Sequence, residues 1–155
     1  MAGKNAIGIQ FSQNTFVRDA GEYLVCAKLS RMGIHATLIS RNAPKNDILA
    51  TANSKEMRLQ VKTSARKGND TWVVKNKPKA KNNFYFIFVN WEDKEIPEFY
   101  VVPSKATALA WSQPNSPKDD KGWVSKSKIA NYKNEWESVV KYFWGKSTTY
   151  YKHKF

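Results

Sequence analysis

The stretch NDILATANSKEMRLQVKTS, Asn46 to Ser64, holds two alternating apolar runs on either side of a polar pair. Asp47 to Thr51 and Glu56 to Ser64 read as strands, and Asn53-Ser54 is the kind of dipeptide that closes a tight hairpin. Along the second run Met57, Leu59, Val61 and Thr63 point to one face, and Arg58, Gln60, Lys62 and Ser64 to the other. A two-residue turn sets Asp47 directly across from Gln60, and residues directly opposed in an antiparallel pair project to the same side. A three-residue turn would set Asp47 opposite Val61, on the apolar side, which a carboxylate resists. The hydrophobic pattern therefore selects the register that gathers Asp47, Gln60 and Lys62 on one polar face.

Upstream, Asn14 to Met32 reads as a helix with Gly33 as its stop. Phe16, Ala20, Tyr23, Leu24 and Ala27 form one apolar stripe, and Glu22 falls in line with a second, Val25, Cys26 and Leu29. Ile34 to Ser40 follows as a strand and Arg41 to Asn46 as a loop. Downstream, a basic stretch reaches Lys81 and contains a strand pattern at Thr71 to Lys75. Phe84 to Trp91 and Glu98 to Val102 then form a second hairpin. Ser104 is expected to cap a short helix to Trp111, with a loop from Ser112 to Lys121. Ile129, Tyr132, Trp136, Val139, Val140 and Phe143 repeat at helical spacing, predicting one helix from Ser127 to Trp144 that stops at Gly145.

The expected fold class is α/β (α+β): a mixed central sheet with flanking helices, in the order helix, three strands, further hairpin, C-terminal helix. At 155 residues with 41% hydrophobic content, the chain suits a single domain, 1–155. The lone Cys26 allows no internal disulfide and reads as a core residue; His35 and His153 match no metal or triad spacing. No signal-peptide pattern or membrane-length apolar run is present, so the expected location is cytoplasmic. The formal net charge is +13, which draws a polyanion, and without a basic amphipathic helix or lipid-anchor motif the expected partner is nucleic acid rather than a membrane.

A helical Glu22, an Asp47 opening a strand and Gln60-Val61-Lys62 on its paired strand make an order that resembles the PD-(D/E)XK, or restriction-endonuclease-like, nuclease superfamily. Asn46-Asp47 stands where that family has Pro-Asp, and Gln60-Val61-Lys62 matches its Q-x-K variant, found among homing endonucleases of bacterial group I introns. The resemblance covers Phe16 to Ser64 and the general order of elements after it. It implies a restriction-endonuclease-like core and a metal-dependent endonuclease acting on double-stranded DNA, of a homing or restriction type. Glu22, Asp47, Gln60 and Lys62 would be catalytic, with Asp47, Gln60 and Glu22 around Mg²⁺, for which Mn²⁺ can substitute. The usual Pro before the aspartate and the acid at position 60 are both absent.

That residue set suits phosphodiester hydrolysis, where charge develops on attacking, leaving and equatorial oxygens and is stabilised by a metal and a cation. A hard cation prefers oxygen donors, which Asp47, Gln60 and Glu22 supply, while Lys62 supplies a point charge or a proton acceptor. Arg58, Ser64, Arg66, Lys67, Lys75, Lys77, Lys79 and Lys81 are the candidate DNA contacts. Cutting both strands with one site per chain calls for a homodimer or a higher oligomer. The rival reading is a catalytically inactive nucleic-acid-binding module of the same fold.

Overall fold

The computed structural model describes residues 13–39, 46–92, 95–113, 116 and 121–145. Most of the loop expected at Arg41 to Asn46, and much of that at Ser112 to Lys121, lies outside the described residues. Helix α1, Gln13–Arg31, ends where the sequence places its stop, with Gly33 at φ 74°. The Ile34 N–H donates to Leu29 O and the Gly33 N–H to Ser30 O, a Schellman closure whose accompanying apolar contact is between buried Leu29 and Ile34.

Strands β1 (His35–Leu38), β2 (Ile48–Ala52), β3 (Lys55–Ser64), β4 (Thr71–Lys75), β5 (Phe84–Asn90) and β6 (Glu98–Pro103) follow. Five of them form one sheet in the order β1-β2-β3-β5-β6. All neighbours are antiparallel except β3 and β5, so the sheet is mixed as expected. Asn53 and Ser54 both take positive φ, 48° and 57°, which gives the two-residue turn whose twist matches its strands. The ladder then runs from Ala52↔Lys55 to Ile48↔Leu59, the register chosen by the apolar pattern. The hairpin tip is tied down from the far end of the chain: Asn53 Nδ2 donates to Phe143 O at 2.9 Å, and the Tyr142 hydroxyl to Glu56 O at 2.7 Å.

A second sheet was not anticipated. It joins β4 to β7 (Trp111–Ser112) and β8 (Lys121–Ser125), the two strands that follow the short helix α2 (Ser104–Ala110), in the order β4-β8-β7. Its buried Trp72, Val74 and Val124 pack on Phe86, Phe88, Tyr100 and Val102 of the main sheet, with the Trp72 ring 5.3 Å from Phe88 and 5.8 Å from Tyr100. The opposite face of the main sheet holds Met57, Leu59, Val61, Ile87, Val89 and Val101 against Val25 and Leu29 of α1. A core thus lies on each face, and fully burying one such aliphatic side chain contributes about 1.5–3 kcal/mol.

Three local expectations are corrected. The buried line of α1 is Gly21, Val25 and Leu29, whereas Phe16 and Tyr23 are 52% and 63% exposed; the second stripe, not the first, meets the sheet. Ser104 does not cap α2: Pro103 holds the cap position, and the Ser104 hydroxyl donates to Lys81 O and accepts the Lys81 N–H. The single C-terminal helix is instead a 3-10 segment, Lys126–Tyr132, and helix α3, Glu137–Trp144. Between them Lys133 bridges Tyr100 and the Asn134 N–H donates to Phe99 O, covering the edge of β6. Ile129 and Tyr132 serve the core on one face, and Trp136, Val139, Val140 and Phe143 the core on the other, so the chain has to turn round that edge. No described helix is long and apolar enough to cross a membrane.

Candidate active site

The regular β2–β3 ladder stops at Ile48↔Leu59, one residue short of Asp47. There the Asp47 N–H donates to Leu59 O at 2.9 Å, and its carboxylate Oδ2 accepts the Val61 N–H at 2.7 Å. The aspartate side chain has taken the place of a backbone carbonyl, so it is fixed by the strand that carries Gln60 and Lys62. Beyond this point, among the described residues, β3 pairs with β5 alone, through Lys62↔Phe88 and Ser64↔Asn90. The alternation read from the sequence holds: Met57, Leu59 and Val61 are buried, Arg58 is exposed, and Gln60, Lys62 and Ser64 are half-buried on the other face.

Helix α1 reaches the same strand through a glycine. A Cβ at Gly21 would lie 1.8 Å from Thr63 Oγ1 and 2.9 Å from Thr63 Cβ, so only glycine permits this approach. Next to Gly21 is Glu22, whose side chain is 16% exposed and whose Oε1 is 3.8 Å from Arg18 Nε, one turn earlier. Arg18 is also 3.7 Å from Asp19.

The electrostatics tie these groups into one neighbourhood. Burial pushes the Asp47 carboxyl above its ordinary value, against the opposing pull of the Val61 N–H, Lys62 and Arg18. Burial likewise holds the Lys62 ammonium below its ordinary value; Asp47 and Glu22 counter this, while Arg18 adds to it. Burial, then Glu22, pushes the Cys26 thiol up, as suits a packed cysteine rather than a nucleophile. Glu22, Asp47 and Lys62 therefore feel one another or a shared Arg18. Arg18 is the member that sequence reasoning missed; its spacing of four from Glu22 was the available signal.

The oxygen donors here are the Asp47 and Glu22 carboxylates and the Gln60 amide, with no imidazole or thiolate among them. Among the described residues no three of His, Cys, Asp and Glu assemble into a metal-holding group. Two carboxylates and a neutral amide fit a hard cation such as Mg²⁺, which keeps several of its own waters.

The candidate DNA contacts divide into two groups. Arg58 and Ser64 share the face of Gln60 and Lys62, and Arg66 and Lys67 are exposed just beyond β3. Lys75 ends β4, and the segment carrying Lys77, Lys79 and Lys81 returns to Asn83, whose carbonyl accepts the Arg58 N–H at 2.9 Å. Basic residues thus flank the Gln60–Lys62 row at both ends.

No family model and no curated protein matches the chain. Among solved structures it is similar to the bacterial homing endonuclease I-Ssp6803I, at 12% identity and a TM-score of 0.57, covering 84% of this chain and 95% of that one. A second similar structure is Hjc, a Holliday junction resolvase from the archaeal hyperthermophile Archaeoglobus fulgidus, at 10% identity and a TM-score of 0.46, covering 73% and 92%. The mixed α+β fold is similar to that of I-Ssp6803I, and is consistent with the restriction-endonuclease-like core that the sequence led us to expect.

Proposed function

We propose that the chain is a metal-dependent endonuclease that hydrolyses phosphodiester bonds of double-stranded DNA. The observation that carries this reading is the docking of the Asp47 carboxylate on the Val61 N–H, which holds it on the strand bearing Gln60 and Lys62, in a fold of this class. Asp47, Gln60 and Glu22 would hold Mg²⁺, with Mn²⁺ as a substitute. When bound, the ion would supply charge stabilisation at the scissile phosphate and lower the pKa of a coordinated water. Lys62, half-buried and with its ammonium destabilised, would hold or accept a proton beside that phosphate, and Arg18 would add a second positive charge. Arg58, Ser64, Arg66, Lys67, Lys75, Lys77, Lys79 and Lys81 would carry the flanking phosphates, and one site per chain calls for a homodimer or higher oligomer to cut both strands.

Incubation of supercoiled plasmid with Mg²⁺ or with EDTA tests this. Linear or nicked product should form only with Mg²⁺ and should fall at least about 100-fold in Asp47→Ala and Lys62→Ala, each still binding DNA. An Asp47→Ala or Lys62→Ala protein that cuts at the parental rate would remove the proposed site. Tight binding without cleavage in any divalent metal would favour the inactive binding module.

A further inference from the structure

The two faces of the small β4-β8-β7 sheet differ in kind. Its inner face supplies Trp72, Val74 and Val124 to a core. Its outer face presents Thr71, Val73 and Lys75 of β4, directly across from Ser125, Trp123 and Lys121 of β8. Val73 is 59% exposed, and Trp123 beside it is half-buried. Sheet pairing fixes where this face stands. Lys62 pairs with Phe88 and Phe88 with Tyr100, so all three project to one side of the main sheet, and Phe88 and Tyr100 are what the small sheet covers.

The small sheet is therefore stacked on the side to which Lys62 projects, with β4 in contact with β3. Its outer face rises about 10 Å, one sheet spacing, beside the floor that holds Lys62. The major groove of a duplex is about 12 Å wide and 8.5 Å deep and admits a two-stranded ribbon. The four segments that build this layer carry Lys75, Lys121, Lys126 and Lys128 and no acidic residue of their own, Lys126 lying 3.7 Å from Glu98 of β6. Such charge complements a polyanion and opposes a second copy of a chain at +13.

We propose that the β4–β8 ribbon enters the major groove of the duplex whose backbone lies over Lys62, and that Val73 and Trp123, flanked by Thr71 and Ser125, read base edges there. This rests on the DNA-cleaving reading of the site above. Valine and threonine methyl groups suit the thymine C5-methyl, and the Thr71 and Ser125 hydroxyls can donate or accept toward a base edge. Lys75 and Lys121, at the end of the same ladder, serve the phosphates.

Selection of bound duplexes from a random-sequence library, in EDTA and with the full chain, tests the ribbon. The wild type should enrich thymine-containing positions. Val73→Ala and Trp123→Ala should each change the bases enriched there and weaken binding to the parental sequence about tenfold, with an unrelated duplex held within about twofold. Uracil in place of thymine at those positions should weaken the wild type likewise. Melting curves confirm that the variants fold, and wild-type chain photo-crosslinked to 5-iodouracil DNA should give adducts within residues 71–75 or 121–125. Absence of any enriched sequence, enrichment unchanged by both substitutions, crosslinks confined elsewhere, or self-association abolished by Val73→Ala would overturn the proposal. Mg²⁺ cleavage is scored separately. Shifted enrichment without cleavage removes the nuclease reading and leaves the ribbon, whereas cleavage with unchanged enrichment removes the ribbon alone.

Discussion

Gly21→Ala places one methyl group where α1 crosses β3, and the geometry sets its cost. The added Cβ would meet Thr63 Oγ1 at 1.8 Å, Cβ at 2.9 Å and Cγ2 at 3.1 Å. Rotating Thr63 about χ1 moves Oγ1 but leaves its Cβ in place, so the helix itself must shift. Overpacking of this kind costs about 3 kcal/mol at the upper end of its usual range, and alanine returns about 1 kcal/mol through helix propensity. The net loss of about 2 kcal/mol should lower the melting temperature by about 4–8 °C for a chain of this size. Thr63→Ala should itself cost little, because among the described residues its buried Oγ1 has no hydrogen-bond partner. Added to Gly21→Ala, it should restore only part of the loss, because it removes Oγ1 and Cγ2 but leaves the Cβ contact at 2.9 Å, a coupling measurable by a double-mutant cycle in urea. Displacing α1 also carries Glu22 and Arg18 away from Lys62, so cleavage at a temperature where the variant is folded should fall further than stability does. A Gly21→Ala protein as stable as the parent, or more so, would refute the argument that this contact positions the helix.

Gln60→Glu keeps size and reach while adding a charge beside Asp47; plasmid cleavage should survive and saturate at lower Mg²⁺, because hard cations favour charged oxygens, and lost DNA binding with an unchanged metal requirement would place Gln60 at the DNA interface instead. Affinity for a short duplex should fall steeply with salt, and Arg66→Ala and Lys67→Ala should each reduce the log–log slope by about one; an affinity indifferent to salt would sink the phosphate-contact assignment. Burial, then Glu98, pushes the Tyr100 hydroxyl up to about 12, so the native state keeps its phenol proton where an unfolded chain, near 10, loses it. Its contribution is whole below pH 10 and is lost as pH rises through 10 to 12; urea midpoints should decline over that window, and less so in Tyr100→Phe.

The β2–β3 hairpin was legible because everything that specifies it is local. A strict alternation from Met57 to Thr63 names the faces, and two residues able to adopt positive φ fix the register, so one slip would invert every side chain. The small sheet was illegible for the opposite reason. Strand β7 is two residues long, and in β8 the alternation is interrupted by Gly122, where the Trp111 ring occupies the space of the missing side chain. A glycine there reads as a break until the tryptophan that covers it is known. In the C-terminal segment the apolar spacing is helical throughout, but it records two helical pieces serving opposite faces of one sheet. Only the edge of β6, a distant part of the chain, dictates the turn at Asn134, whose φ is 54°.

The same distinction separates the members of the candidate site. Asp47, Gln60 and Lys62 lie within one hairpin, so their proximity follows from turn length and strand period. Glu22 and Arg18 arrive on another element, and what brings them in is the fit of Gly21 to Thr63, a tertiary contact that leaves no periodic trace in either segment. The sequence does mark Glu22 as out of place, a carboxylate in line with Val25 and Leu29. It does not say that the buried line of the helix runs through Gly21, because Phe16 and Tyr23 offer a more apolar stripe that the structure leaves exposed. Burial of α1 follows the line that lets the backbone approach β3 most closely rather than the most apolar line, and that close approach sets the Glu22 carboxylate within the field of Lys62. The glycine that weakens α1 as a helix is therefore what brings Glu22 and Arg18 to the candidate site, a local cost retained where the proposed chemistry would be assembled.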